Sequence, residues 1–175
     1  MGAPGVLARC ASSGVALVAA AIQPASHLSV LESVAAAARA AGVFGEVRVE
    51  PGRVVATAKA SAAPAEYRVE IEGGKALVGV FTPDRWLSHS VEADLLHTGD
   101  DLEELLQDEL DEVGLPKLGL RIDHFRNDEK LFTFRSVTGV RLDDQHASKQ
   151  LGAILLAYEA CFRHLGDMHQ DEDEA

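Results

Sequence analysis

The chain has 175 residues, 47% of them hydrophobic, and a formal net charge of −12. A chain of this length suits one domain that buries roughly 70% of its unfolded surface. The charge is uneven. Residues 1–65 hold five basic and three acidic side chains, a net of +2, so the remainder carries −14 to reach the total of −12. Such a surface repels nucleic acid phosphates and anionic lipid, which leaves basic proteins as the electrostatically favoured partners.

Residues 1–26 contain one arginine, Arg9, and no acid. Ala, Ser and Gly are abundant there. The apolar run Gly14 to Ile22 is far too short to span a bilayer. A signal-peptide core, a transit-like extension and an ordinary structured segment all fit this composition, and the transit-like reading is favoured. It predicts a plastid stroma or other organelle matrix if the segment is a transit sequence, and the cytoplasm otherwise. No apolar run anywhere is long enough for a stop-transfer helix, so a soluble protein without membrane insertion is expected.

A first helix is predicted over Ser29 to Ala41. Ser29 and Glu32 form a capping box, and Val30, Leu31, Val34, Ala38 and Ala41 form one apolar stripe. Gly42 supplies the left-handed residue that ends it. Its Ala-rich face permits close approach of a sheet or a second helix. Four strands then fold back and forth between Glu46 and Thr82. Val47 and Val49 alternate with Arg48 and Glu50, and Pro51-Gly52 turns the chain. Arg53 to Ala60 puts Val54, Ala56, Ala58 and Ala60 on one face. Tyr67, Val69 and Ile71 alternate with Glu66, Arg68, Glu70 and Glu72. Gly73-Gly74 is a two-residue hairpin signal. Lys75 to Thr82 is apolar on both faces and should be the most buried strand.

Thr82-Pro83-Asp84 reads as a helix start with Thr82 as the cap. That helix should run to about His97, carrying Trp86, Leu87, Val91, Leu95 and Leu96. A second one follows from about Asp101 to Val113, with Asp100 and Glu103 as its capping box. Its stripe is Leu102, Leu105, Leu106, Leu110 and Val113, and Gly114 with Pro116 stops it. Leu118 to Arg126 and Lys130 to Thr138 read as a second hairpin around Asn127-Asp128. Asp143 should then cap the longest helix, whose stripe is Leu151, Ile154, Leu155, Tyr158, Phe162 and Leu165. Residues 169–175 form an acidic, solvated tail. The predicted fold is therefore α+β, in the order α-ββββ-αα-ββ-α. An antiparallel sheet of about six strands has the N-terminal, middle and long C-terminal helices packed on one face, as a single domain over residues 27–168.

No catalytic spacing and no metal-ligand spacing are found. His89 and His97 share a helix face but lack a third ligand between them, and nothing resembles HExxH. Asp123, His124, Ser136 and Ser148 supply the residue types of a hydrolytic triad without any supporting context. Cys10 and Cys161 have no CxxC partner, and Cys161 reads as a reduced, buried thiol. No cofactor is expected. Two features point to a protein partner. Glu104, Asp108, Asp111 and Glu112 lie on one acidic helix face with no interleaved base, which costs about 0.2–0.5 kcal/mol per like-charge pair. Arg85 and Trp86 are residue types enriched at interfaces, although packing of Trp86 over the sheet is the favoured alternative.

The element order resembles the YbjN-like proteins and the type III secretion chaperone superfamily. It is most similar to small cyanobacterial and plastid members of that group. The residues carrying the resemblance are Phe81 to Ser88 (FTPDRWLS), Asn127 to Lys130 leading into Phe132 to Arg135, and Leu155 to Met168. The resemblance implies an α+β binding protein, often a homodimer, that holds a partner polypeptide in partly extended form. It brings no catalytic residues. The extra strand before the middle helices departs from the chaperone pattern and leaves the partner groove unplaced. A chaperone or assembly factor is the expected function, with a permanent subunit of a larger complex and a histidine-based metalloenzyme as alternatives.

Overall fold

The computed structural model describes residues 24–168, with side chains from residue 27. The expectations for residues 1–23, for Cys10 and for the tail from residue 169 lie outside the described residues. The elements are α1 (Pro24–Ala41), β1 (Phe44–Glu50), β2 (Arg53–Ala58), β3 (Glu66–Glu72), β4 (Lys75–Thr82), α2 (Arg85–Thr98), α3 (Leu102–Glu112), β5 (Asp123–Arg126), β6 (Phe132–Val137), α4 (Ala147–Arg163) and a 3₁₀ turn at Gly166–Met168. The fold is α+β, and the six strands form one antiparallel sheet in the order β1-β2-β3-β4-β6-β5.

Alternation along the strands decides the two faces of this sheet. Val54, Tyr67, Val69, Val78, Val80 and Phe134 lie on one face and join the helices in one buried cluster. The helices contribute Leu31 and Val34 from α1, Leu106 and Leu110 from α3, and Ile154, Leu155, Tyr158 and Phe162 from α4. β4 is buried at every position after Lys75, as a strand covered on both faces should be. The small residues of α1 have the consequence expected of them. A Cβ added at Gly152 of α4 would sit 3.5 Å from the Cβ of Ala37, so the two helices approach closely. Tyr158 is fully buried, and its hydroxyl donates to Ser136 Oγ at 2.5 Å. That bond satisfies the Tyr158 hydroxyl, a polar group that would otherwise cost stability in the core.

Several boundaries differ from expectation, each for a local reason. α1 starts at Pro24, so Ser29 and Glu32 lie inside it and form no N-terminal box. Asp84, not Thr82, caps α2. Its carboxylate accepts from the Trp86 and Leu87 N–H groups, while Thr82 Oγ1 accepts from the Asp84 N–H. Asp101, not Asp100, caps α3, accepting from Glu103 and Glu104. Glu103 turns away from the cap and accepts the Ile122 N–H instead.

The strand predicted from Leu118 begins only at Asp123. Lys117 and Gly119 both take positive φ, and the Gly119 N–H goes to Gln107 on α3 rather than to a strand. Lys130 also takes positive φ, so β6 starts at Phe132. Asp143 pairs with Arg141 and caps nothing, since α4 starts at Ala147. α4 has 17 residues, one fewer than α1, and is therefore not the longest helix. Cys161 is buried as expected, and burial pushes its thiol up to about 12.

Candidate functional site: the open face of the sheet

The helices cover one face of the sheet and leave the other to side chains alone. That second face carries the polar half of each alternating strand, where Arg and Glu cover Val55, Leu77 and Phe81. Arg48 donates to Glu50 at 2.8 Å and to Glu66 at 2.7 Å, and Arg53 donates to Glu50 at 2.7 Å. Arg68 donates from Nε and Nη2 to Glu66 Oε2 and is only 5% exposed. Its guanidinium stacks 4.5 Å above the Phe81 ring, a cation–π contact that also shields the ring from water.

Gly79 sits between Arg68 and Arg135 in the cross-strand row. A Cβ there would stand 2.5 Å from the Phe134 carbonyl oxygen, so no other residue fits without displacing the backbone of β6.

Glu129 closes this network from outside the sheet. It lies on the turn between β5 and β6, and it accepts from Arg53 Nη1 at 2.8 Å and from Arg68 Nη1 at 2.7 Å. Hydrogen bonds from Arg68 and Arg53 hold its carboxyl below the usual range. Glu70 behaves oppositely. Burial raises its carboxyl, because the surrounding arginines approach only to 3.5–3.7 Å. The turn itself is held by the Asn127 side chain, which accepts the Leu131 N–H at 2.9 Å, and by the Lys130 N–H donating to the Asn127 carbonyl.

Beside Glu66 and Arg68 the surface opens into a cleft of about 600 Å³. Its walls include Lys59 and residues 61–65 of the β2–β3 loop, Phe81, Pro83 and Leu131. The loop is pinned at several points, which makes the cleft preformed. The Ala58 N–H donates to the Ala65 carbonyl, the Ala62 N–H to Asp167, and Thr82 Oγ1 to the Pro64 carbonyl. The lining is mainly alanine and proline with one aromatic ring, bordered by Arg68 and Glu66.

The residues singled out in the sequence fall elsewhere. Trp86 does not pack over the sheet. It is 76% exposed on the first turn of α2 with its ring edge against His89, and Leu96 near the other end of α2 is 85% exposed. Arg85 is exposed beside it, two residues beyond the cleft residue Pro83. Glu104, Asp108, Asp111 and Glu112 are all exposed on α3, and Asp111 accepts from Gln107. Among the described residues no hydrogen bond or ion pair joins these carboxylates to Arg85. Also among them, no group of three or more His, Cys, Asp or Glu is arranged to hold a metal ion.

His124 has different partners from those its sequence neighbours suggested. Its Nε2 lies 3.1 Å from Ser88 Oγ and its Nδ1 lies 3.0 Å from Glu92 Oε1, both on α2. Its ring stacks on Phe134 at 4.0 Å. Burial lowers its affinity for a proton, against the pull of Glu92. Ser88 and Glu92 are four apart on one helix face, a spacing legible in the sequence, but no sequence signal pairs α2 with β5. Ser136, in turn, donates to the Arg121 carbonyl and accepts from Tyr158.

No helix among the described residues is long and apolar enough to cross a membrane. Comparison with protein-family models, with curated proteins and with solved structures gave no match.

Proposed function

We propose that the protein is a non-enzymatic polypeptide-binding factor, a chaperone or assembly factor, whose binding surface is the open face of the sheet. The observation that carries this reading is the preformed cleft beside the Arg68–Phe81 stack, on the one sheet face that no helix covers. Extended polypeptide needs apolar pockets for alternate side chains and fixed polar groups for register, and this face offers both. Exposed Trp86 on α2 and the exposed α3 carboxylates are further contacts in the same reading, the carboxylates suited to a basic segment of the partner. Ala62 is exposed and lines the cleft, so Ala62→Arg blocks it without touching the core. Tagged wild-type protein should retain a small, reproducible set of proteins that the Ala62→Arg variant loses. Equal retention by both would remove the cleft from the account.

A second reading, acyl transfer at Ser88, is favoured by the Ser88–His124–Glu92 distances, which have the order of a hydrolytic relay. The binding reading is preferred for two reasons. Ser88 is only 3% exposed, and Asp84 already occupies the N–H groups of residues 86 and 87, which leaves neither for an oxyanion. Covalent labelling of Ser88 by a fluorophosphonate probe would reverse that preference.

A further inference from the structure

Both tyrosines of the chain are buried on the helix side of the sheet, and only one has its hydroxyl satisfied. Tyr158 donates to Ser136. Tyr67 on β3 is 2% exposed and packs its ring against Phe44, yet its hydroxyl makes no hydrogen bond to any described residue. Buried hydroxyls are almost always paired, so a donor held in this way is one that meets a partner from outside the chain. Burial holds the Tyr67 phenol well above its ordinary range, which keeps it a neutral donor.

Tyr67 lines a recess of about 440 Å³ between the end of α1, the end of β2 and the last turns of α4. That volume is typical of a small-molecule site. Val43 and Ala58 form an apolar wall, and three charged side chains line the rest, Lys59, Glu159 and Arg163. Glu159 and Arg163 are committed to each other. Arg163 Nε donates to Glu159 Oε1 at 2.9 Å, and Nη2 donates to Oε2. Lys59 is exposed, has no ion pair among the described residues, and reaches only the Gly42 carbonyl at 3.4 Å. Its charge sits on a flexible four-carbon stem that can fold over the recess. The recess thus offers one uncommitted cation and one uncommitted neutral donor beside an apolar wall, in a chain whose net charge is −12.

We propose that this recess binds a small aliphatic monocarboxylate, its carboxylate taken by Lys59 and the Tyr67 hydroxyl and its hydrocarbon body laid against Val43 and Ala58. A carboxylate has two oxygens and accepts from both donors at once, and its bond to an ammonium is charge-assisted. A second carboxylate on the ligand would find no further free cation and would face Glu159, so dicarboxylates are rejected. An amine is rejected because Lys59 repels it while Arg163 already holds Glu159. The recess shares Ala58 and Lys59 with the cleft of the open face, but Tyr67, Glu159 and Arg163 belong to the helix side. The inference therefore goes beyond the polypeptide-binding reading and stands without it.

The test is an amide NMR titration of the full chain with hexanoate, hexanamide, adipate and hexylammonium. Hexanoate should bind saturably, shift the amides of residues 42–43 and 58–60, and bind at least about tenfold more tightly than the other three. Tyr67→Phe keeps the ring and removes only the hydroxyl, and Lys59→Met keeps most of the stem and removes the charge. Each should weaken hexanoate binding about tenfold. Because the hydroxyl has no protein partner, Tyr67→Phe should also melt at or above the wild-type midpoint. A lower midpoint would mean that the hydroxyl is bonded within the protein and would overturn the proposal. It is equally overturned if hexanoate shows no saturable binding at millimolar concentration, if hexanamide binds as tightly, or if folded Tyr67→Phe keeps the wild-type affinity.

Discussion

Glu129 and Arg68 stand 61 residues apart in the chain and 2.7 Å apart in the fold. Their contact ties the β5–β6 turn to the middle of the sheet. It is a half-exposed carboxylate meeting a buried guanidinium, so its effect on stability is modest while its effect on the shape of the open face is large. Glu129→Ala should lower stability by about 1 kcal/mol or less, as expected for a partly exposed ion pair. Chemical denaturation at low and high salt checks this, and the difference between variant and wild type should shrink as salt rises.

The same contact gives a pH dependence with a definite sign. The Glu129 carboxyl is held below its usual range by Arg68 and Arg53. A depressed folded value contributes stability that is present above the unfolded value, about 4.3, and is lost as pH falls through the folded one. The acid limb of a wild-type stability curve should therefore flatten in Glu129→Gln. Glu70, raised by burial, acts in the opposite sense and takes stability away as pH rises through the unfolded value.

Gly79 lies between Arg68 and Arg135 in one cross-strand row, against the β6 backbone. Gly79→Ala forces a methyl to within 2.5 Å of the Phe134 carbonyl oxygen. A cost of about 1–3 kcal/mol is expected from overpacking against main chain. A variant melting with the wild-type midpoint would show that the sheet accommodates the methyl at no cost.

His124 is neutral more persistently than a free imidazole, because burial lowers its affinity for a proton. Its folded value lies below about 6.5, so the unfolded chain binds a proton first as pH falls below that point and stability drops over the same interval. A proton NMR titration should place His124 below 6.5 in wild type and lower still in Glu92→Gln, since Glu92 favours the charged ring. An unchanged value in Glu92→Gln would remove Glu92 from the account.

Trp86 is the only tryptophan, so its fluorescence reports one site. At 76% exposure its emission should already resemble that of free tryptophan, and acrylamide should quench it efficiently in the native state. A blue-shifted, protected emission would mean that the α2 surface is covered in solution.

Much of this architecture was legible because side-chain period decides it. The four-strand meander, the buried β4, the apolar stripes of α3 and α4 and the second hairpin all follow from alternation or from helical spacing. The caps were misplaced by one or two residues where neighbouring residues compete for the same N–H groups, as Thr82 and Asp84 do, or Asp100 and Asp101. The shortened β5 was not legible. Its missing half is held by Gln107 and Glu103 side chains, contacts that no local pattern encodes.

The candidate site was the least legible part. Glu66, Arg68, Glu70 and Glu72 read simply as the polar half of a strand. Only the tertiary fold shows that Arg68 is buried and that a turn residue completes its hydrogen bonds. The α3 acids and Arg85-Trp86, which the sequence singled out, are exposed surface of α3 and α2 and not part of that face.

The most direct test of the central claim is hydrogen–deuterium exchange on the protein with and without its retained partner. The account predicts slowed exchange in the loop at residues 59–65, which walls the cleft, together with altered exchange in the turn at residues 127–131. Protection confined to α2 and α3, with the loop and the turn unchanged, would contradict it and move the binding surface to the helical side.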